Sequence, residues 1–82
     1  MNSVTGSQNT AIGANSANAL TTGNYNLAVG DYALFAATTS SGNTAVGSQT
    51  LYATTTGAFN TALGAYALSA NTTASSLEAV VL

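Results

Sequence analysis

Asn43-Thr44-Ala45-Val46-Gly47 recurs at a fixed offset of 17 residues as Asn9-Thr10-Ala11-Ile12-Gly13, Asn26-Leu27-Ala28-Val29-Gly30 and Asn60-Thr61-Ala62-Leu63-Gly64. Moving outward, the same offset carries Ala17 to Leu34, Leu51 and Leu68, and Ala19 to Ala36, Ala53 and Ala70. Thr21-Thr22 returns as Thr38-Thr39, Thr55-Thr56 and Thr72-Thr73, followed by the column Gly6, Gly23, Ser40, Gly57 and Ala74; Gly42 alone stands out of register. Self-similarity at one short period, without insertions, implies a stack of equal units rather than a conventional core.

Each unit reads as about four extended residues, a glycine turn, about five more extended residues and a Thr-Thr corner. Seventeen alanines favour helix, but there are no cap pairs and no apolar stripe of helical period. The expectation is therefore an all-β, parallel β-solenoid (a β-roll or β-helix) of four to five coils, forming one domain over residues 1–82. The coils fall at about 6–22, 23–39, 40–56 and 57–73, with a partial coil over 74–82, stacked at ~4.8 Å. In the tail, Ala79 and Val80 fall on the alanine and Val/Ile/Leu columns, which predicts a fifth copy of the first strand.

Alternation along the second extended segment puts Leu34 and Ala36 on one face and Phe35 on the other, repeated as Leu51/Ala53 against Tyr52 and Leu68/Ala70 against Ser69. In the first segment Ala45 and Val46 are neighbours and point oppositely, yet both columns are apolar, as in strands covered on both faces. Which of the two looks into the coil stays open. The larger side chains, Ile12, Val29, Val46 and Leu63 together with Leu34, Leu51 and Leu68, are the candidate core. The second face then needs a partner, and side-by-side packing of three solenoids about a common axis would supply one.

Composition narrows the chemistry. The 82 residues contain no Lys, Arg, His or Cys, and their only charges are Asp31 and Glu78, for a formal net charge of -2. That leaves no histidine base, cysteine nucleophile, lysine Schiff base, thiolate or imidazole metal site, or basic nucleic-acid surface. Asp31 and Glu78 stand in different registers, so a glycosidase carboxylate pair has no support. No enzyme, cofactor or metal is expected. No basic leader with an apolar segment and no run near the ~20 apolar residues of a membrane span is present, so membrane insertion is not expected.

The remaining columns are structural or surface candidates. Asn9, Asn26, Asn43 and Asn60 form an amide ladder along the axis, as in stacked β-structures. Gly13, Gly30, Gly47 and Gly64 provide positive φ or close backbone approach. The paired threonines satisfy a corner with their hydroxyls, since adjacent residues cannot both project from one face as an ice-binding array needs. Tyr25 and Phe59, Tyr32 and Tyr66, and Phe35 and Tyr52 share three further registers, as candidates for subunit packing or for stacking on a sugar. At the end of the chain Val80, Val81 and Leu82 present an apolar edge suited to head-to-tail stacking, and an open heterologous contact of that kind builds a filament.

The segments Asn9–Gly13, Asn43–Gly47 and Asn60–Gly64, with Ala67-Leu68 and Thr72-Thr73 after them, resemble the N-T-A-(I/V)-G repeats of bacterial and phage tail-fibre proteins, over about residues 5–73. Those repeats are similar in turn to the YadA-like head repeats of trimeric autotransporter adhesins. The resemblance implies a left-handed β-roll, usually trimeric, in the head or shaft of an extracellular fibre that binds host matrix or a receptor.

The function expected from these readings is a non-catalytic structural subunit of an extracellular fibre or filament, at the cell surface or on a virion. It would partner with itself, by trimer-like lateral packing and by head-to-tail β-stacking. The alternative is an adhesin or tail-fibre head that binds a glycan or surface receptor through its aromatic rows, and ice binding is a third reading.

Overall fold

The computed structural model describes residues 8–80, which contain five short strands and no helix. These are β1 (Thr10–Ile12), β2 (Leu27–Val29), β3 (Thr44–Val46), β4 (Thr61–Leu63) and β5 (Glu78–Val80). They form one sheet in sequence order, every pair parallel, and each register joins residues 17 apart: Ala11 to Ala28, Ala28 to Ala45, Ala45 to Ala62, Ala62 to Ala79. One strand per coil stacked in this way is a parallel β-solenoid, and β5 is the expected fifth first strand. Gly6, Val81 and Leu82 lie outside the described residues.

A glycine ends each strand, with φ of 122°, 129°, 128° and 115° at Gly13, Gly30, Gly47 and Gly64. Two constraints meet there. The dihedral excludes most L-residues, and a Cβ on Gly30 would lie 2.6 Å from the carbonyl carbon of Gly47, with 2.7 Å between the next pair. Gly42 has its own reason. It takes the left-handed corner (φ 71°) that Gln8, Tyr25, Phe59 and Ser76 occupy in the other coils, and the Phe59 ring lies where its Cβ would be.

Two expectations about the coil interior are corrected. The first concerns Ile12, Val29, Val46 and Leu63, which do not enter the core. Ala28, Ala45 and Ala62 are fully buried, whereas Ile12 is 60% and Leu63 47% exposed, and Val29 and Val46 are half-buried. A three-residue strand points only its middle residue inward, and the opposite wall of Leu20, Leu34 and Leu51 fills the lumen so that only a methyl fits against it. Leu34 and Leu51 are core as expected, and Leu68 packs partly against it.

The second correction concerns the second extended segment, which is not a strand. Residues 31–36, 48–53 and 65–70 are turns, closed by N–H donation from Ala33 to Gly30 O, from Thr50 to Gly47 O and from Ala67 to Gly64 O, and again from Ala37 to Leu34 O and Thr54 to Leu51 O. Within this run Tyr32, Gln49 and Tyr66 (φ 57° to 63°) and Leu34, Leu51 and Leu68 (φ 49° to 52°) all adopt left-handed backbone. Period-two alternation therefore does not apply, and the buried side chains are Ala33, Leu34 and Ala37 rather than Leu34 and Ala36. A left-handed leucine costs about 1–2 kcal/mol of backbone sterics. Complete burial of the isobutyl group offsets it, as does N–H donation from Leu34 to Thr50 O (2.9 Å) and from Leu51 to Ala67 O (3.0 Å).

Because Gly47 combines a φ of 128° with backbone contact to the next coil, Gly47→Ala is expected to lower unfolding free energy by at least ~3 kcal/mol. Urea unfolding followed by circular dichroism measures this, and a loss below ~1 kcal/mol would contradict the close-approach account.

Candidate interaction surface

No pocket opens and no group of three or more metal-binding side chains occurs among the described residues. The asparagine column forms a continuous directional ladder. The Asn26 N–H and Nδ2 donate to Asn9 Oδ1 (3.0 and 3.1 Å), those of Asn43 to Asn26 Oδ1 (2.9 and 3.2 Å), and the Asn60 N–H to Asn43 Oδ1 (3.0 Å). Each Nδ2 also reaches a carbonyl of the following coil: Asn9 to Gly23 O, Asn26 to Ser40 O, Asn43 to Gly57 O and Asn60 to Ala74 O. Asn43 and Asn60 are fully buried, so these bonds satisfy backbone groups that water does not reach. The column is a corner device, buried at Asn26, Asn43 and Asn60 and half-exposed at Asn9.

The leading threonine of each pair also acts between coils, donating its hydroxyl from Thr21 to Thr38 O, Thr38 to Thr55 O and Thr55 to Thr72 O. Thr22, Thr39, Thr56 and Thr73 remain as a single exposed row. Two buried columns were not picked out in the sequence reading. Ser16, Ala33, Thr50 and Ala67 form one, and Leu20, Ala37 and Thr54 another. Ser16 Oγ and Thr50 Oγ1 donate within their own turns, to Gly13 O and Gly47 O, whereas Thr54 Oγ1 donates to Asn71 O of the following coil. Mixed polarity hid these columns from an apolar count. Ser40 Oγ is the one buried side-chain oxygen without a hydrogen-bond partner among the described residues. It stands in the column where Gly23 and Gly57 lack a Cβ.

The aromatic registers divide. Phe35 and Tyr52 stack on each other (centroids 5.1 Å apart, planes within 8°), and Tyr32 tilts against both at 5.1 and 6.0 Å, so these rings spend much of their surface on one another. Tyr25, Phe59 and Tyr66 are exposed. Tyr25 and Phe59 each stand two residues before a strand, beside the outward columns Ile12, Val29, Val46, Leu63, Val80 and Thr10, Leu27, Thr44, Thr61, Glu78. Three of the six exposed large hydrophobic residues, Ile12, Leu63 and Val80, thus stand in one column of the sheet, and Tyr25 and Phe59 sit at the left-handed corner that precedes it. Of the two charged residues, Asp31 follows a glycine turn and Glu78 lies at the β5 end of the sheet; both are exposed.

No family model, curated protein or solved structure matches the chain.

Replacing Asn43 by Ala strips the partners from Gly57 O and the Asn60 N–H in dry surroundings, and is expected to cost about 2–5 kcal/mol. Ser40→Ala removes a buried hydroxyl that bonds nothing and is expected to gain ~1 kcal/mol. Urea midpoints of the two variants should move in opposite directions, and a shared direction would contradict this reading of the two columns.

Proposed function

We propose that the chain is a non-catalytic structural module of an extracellular self-assembling fibre, in which solenoids pack side by side through the outer face of β1–β5. The outward apolar column of Ile12, Leu63 and Val80, exposed, with Val29 and Val46, half-buried, carries the proposal. Soluble monomers seldom leave so continuous an apolar strip in water.

A second copy fits this strip for two reasons. Its own face carries apolar rows at the same coil spacing, so ridges of one can seat between ridges of the other along all five coils, as in a dry sheet-to-sheet contact. With a formal charge of only -2 the chains hardly repel each other. Location at a cell surface or on a virion rests on the likeness of the repeat to fibre proteins such as the YadA-like heads. The second reading, a head module that recognises a glycan or receptor, rests on the exposed rings of Tyr25, Phe59 and Tyr66.

Light-scattering mass and electron microscopy of the purified protein test the assembly. Particles of several chains are expected, and a compact monomer at all concentrations would sink the proposal. Val29→Lys with Val46→Lys should keep the circular dichroism spectrum and weaken association at least ~tenfold, the effect of ~1.4 kcal/mol. Under the head-module reading, Tyr66→Ala would instead abolish glycan or cell binding and leave particle mass unchanged.

A further inference from the structure

We infer that the curled half of the coil carries a binding surface for a neutral, linear, β-linked glycan, which lies along the solenoid axis across Tyr32 and Tyr66. The inference rests on the head-module reading and names its ligand class and its site.

Asn15, Tyr32, Gln49 and Tyr66 occupy one register position, so amide and ring alternate from coil to coil. Backbone bonds tie the row together at each step: the Tyr32 N–H donates to Ala14 O, the Gln49 N–H to Asp31 O and the Tyr66 N–H to Ser48 O, at 2.8 to 2.9 Å. The two rings of the row therefore stand two coils apart, ~10 Å along the axis. In the adjacent row Phe35 and Tyr52 pack against Tyr32 and hold its ring in place before any ligand arrives.

Two observations mark this row as more than corner filling. The first is backbone strain. All four residues have φ between 57° and 63°, where Asn and Gly are at ease and an aromatic residue is uncommon. Leu34 has a similar dihedral and offsets its cost by complete burial, whereas Tyr66 is 59% exposed and offsets little. The second is unspent hydrogen-bonding capacity. The amides of Asn9, Asn26, Asn43, Asn60 and Asn71 all donate to backbone carbonyls, but no hydrogen bond among the described residues engages the side chain of Asn15 or Gln49.

A flat ring beside an amide that both donates and accepts suits a pyranose, which has C–H faces above and below and hydroxyls around its rim. Spacing selects the linkage. Equatorial β-1,4 bonds keep a glycan straight and turn each sugar over relative to the last; one sugar is about as long as one coil is tall, so the same face returns every two coils. With no pocket among the described residues, the surface suits an extended chain better than a compact small molecule. Charge excludes acidic glycans, because the protein has no Lys or Arg and the exposed Asp31 precedes Tyr32 in the chain. The surface belongs to a different segment of the coil from the outward columns of β1–β5, and side-by-side packing through those columns does not use it.

Isothermal titration calorimetry and tyrosine fluorescence with cellohexaose and N-acetylchitohexaose test this on the full chain, with maltohexaose as the curved, α-linked control. At least one β-linked hexasaccharide is expected to bind about tenfold tighter than maltohexaose and than its own disaccharide, which is too short to span Tyr32 and Tyr66. Tyr66→Ala should weaken that binding at least about tenfold and Gln49→Ala about fivefold, with circular dichroism unchanged. Tyr25→Ala with Phe59→Ala should leave it as it is. If that pair abolishes binding and Tyr66→Ala does not, this site is overturned and the head-module reading is kept. Equal binding of maltohexaose overturns the ligand class. No response to any of these sugars up to ~5 mM overturns the glycan. In that event the head-module reading survives if the protein still binds cells through Tyr66, and it falls as well if no cell binding is seen.

Discussion

The distance between successive coils at the glycine column constrains everything else in this molecule. Backbone meets backbone there so closely that no Cβ fits between Gly13, Gly30, Gly47 and Gly64. Only an invariant offset can hold such a contact through every coil, so the repeat must be 17 residues without insertion. The same closeness brings Asn9, Asn26, Asn43 and Asn60 within hydrogen-bond reach, and those amides satisfy corner groups that stacking has removed from water. Glycine sets the spacing and asparagine makes it tolerable.

The interior follows from that spacing. A strand of three residues sends one side chain inward, and the facing wall of leucines leaves it only the volume of a methyl. With alanine inside, the bulkier Ile12, Val29, Val46, Leu63 and Val80 must stand outside. The solenoid thus completes its own core and still carries apolar rows on the outer sheet. Asp31 and Glu78 are exposed and stand in different registers, and the buried polar side chains are spent on the fold, Asn26, Asn43, Asn60 and Thr54 between coils and Ser16 and Thr50 within their own turns.

Much of this was legible before any coordinates. The 17-residue period gave the parallel register, the glycines gave the close approach, and Ala79-Val80 gave β5. The leucine column was legible as core, but its neighbours Ala33 and Ala37 were not, since Leu34, Leu51 and Leu68 adopt left-handed backbone with no glycine to announce it. Alternation is a property of extended chain, and the run from Gly30 to Ala37 is curled. Ser16 and Thr50 were missed because their hydroxyls bond glycine carbonyls within their own turns, which only the folded turn brings into reach.

The sequence by itself determined the repeat length, the stacking direction and the places where a side chain is forbidden, because these are enforced identically in every coil and leave a periodic trace. Tertiary structure decided which of Ala45 and Val46 faces the lumen, how the second half of each coil bends, and where the exposed apolar rows lie. Those outcomes turn on how much volume the opposite wall leaves free, and volume is a property of the closed coil that no single column encodes.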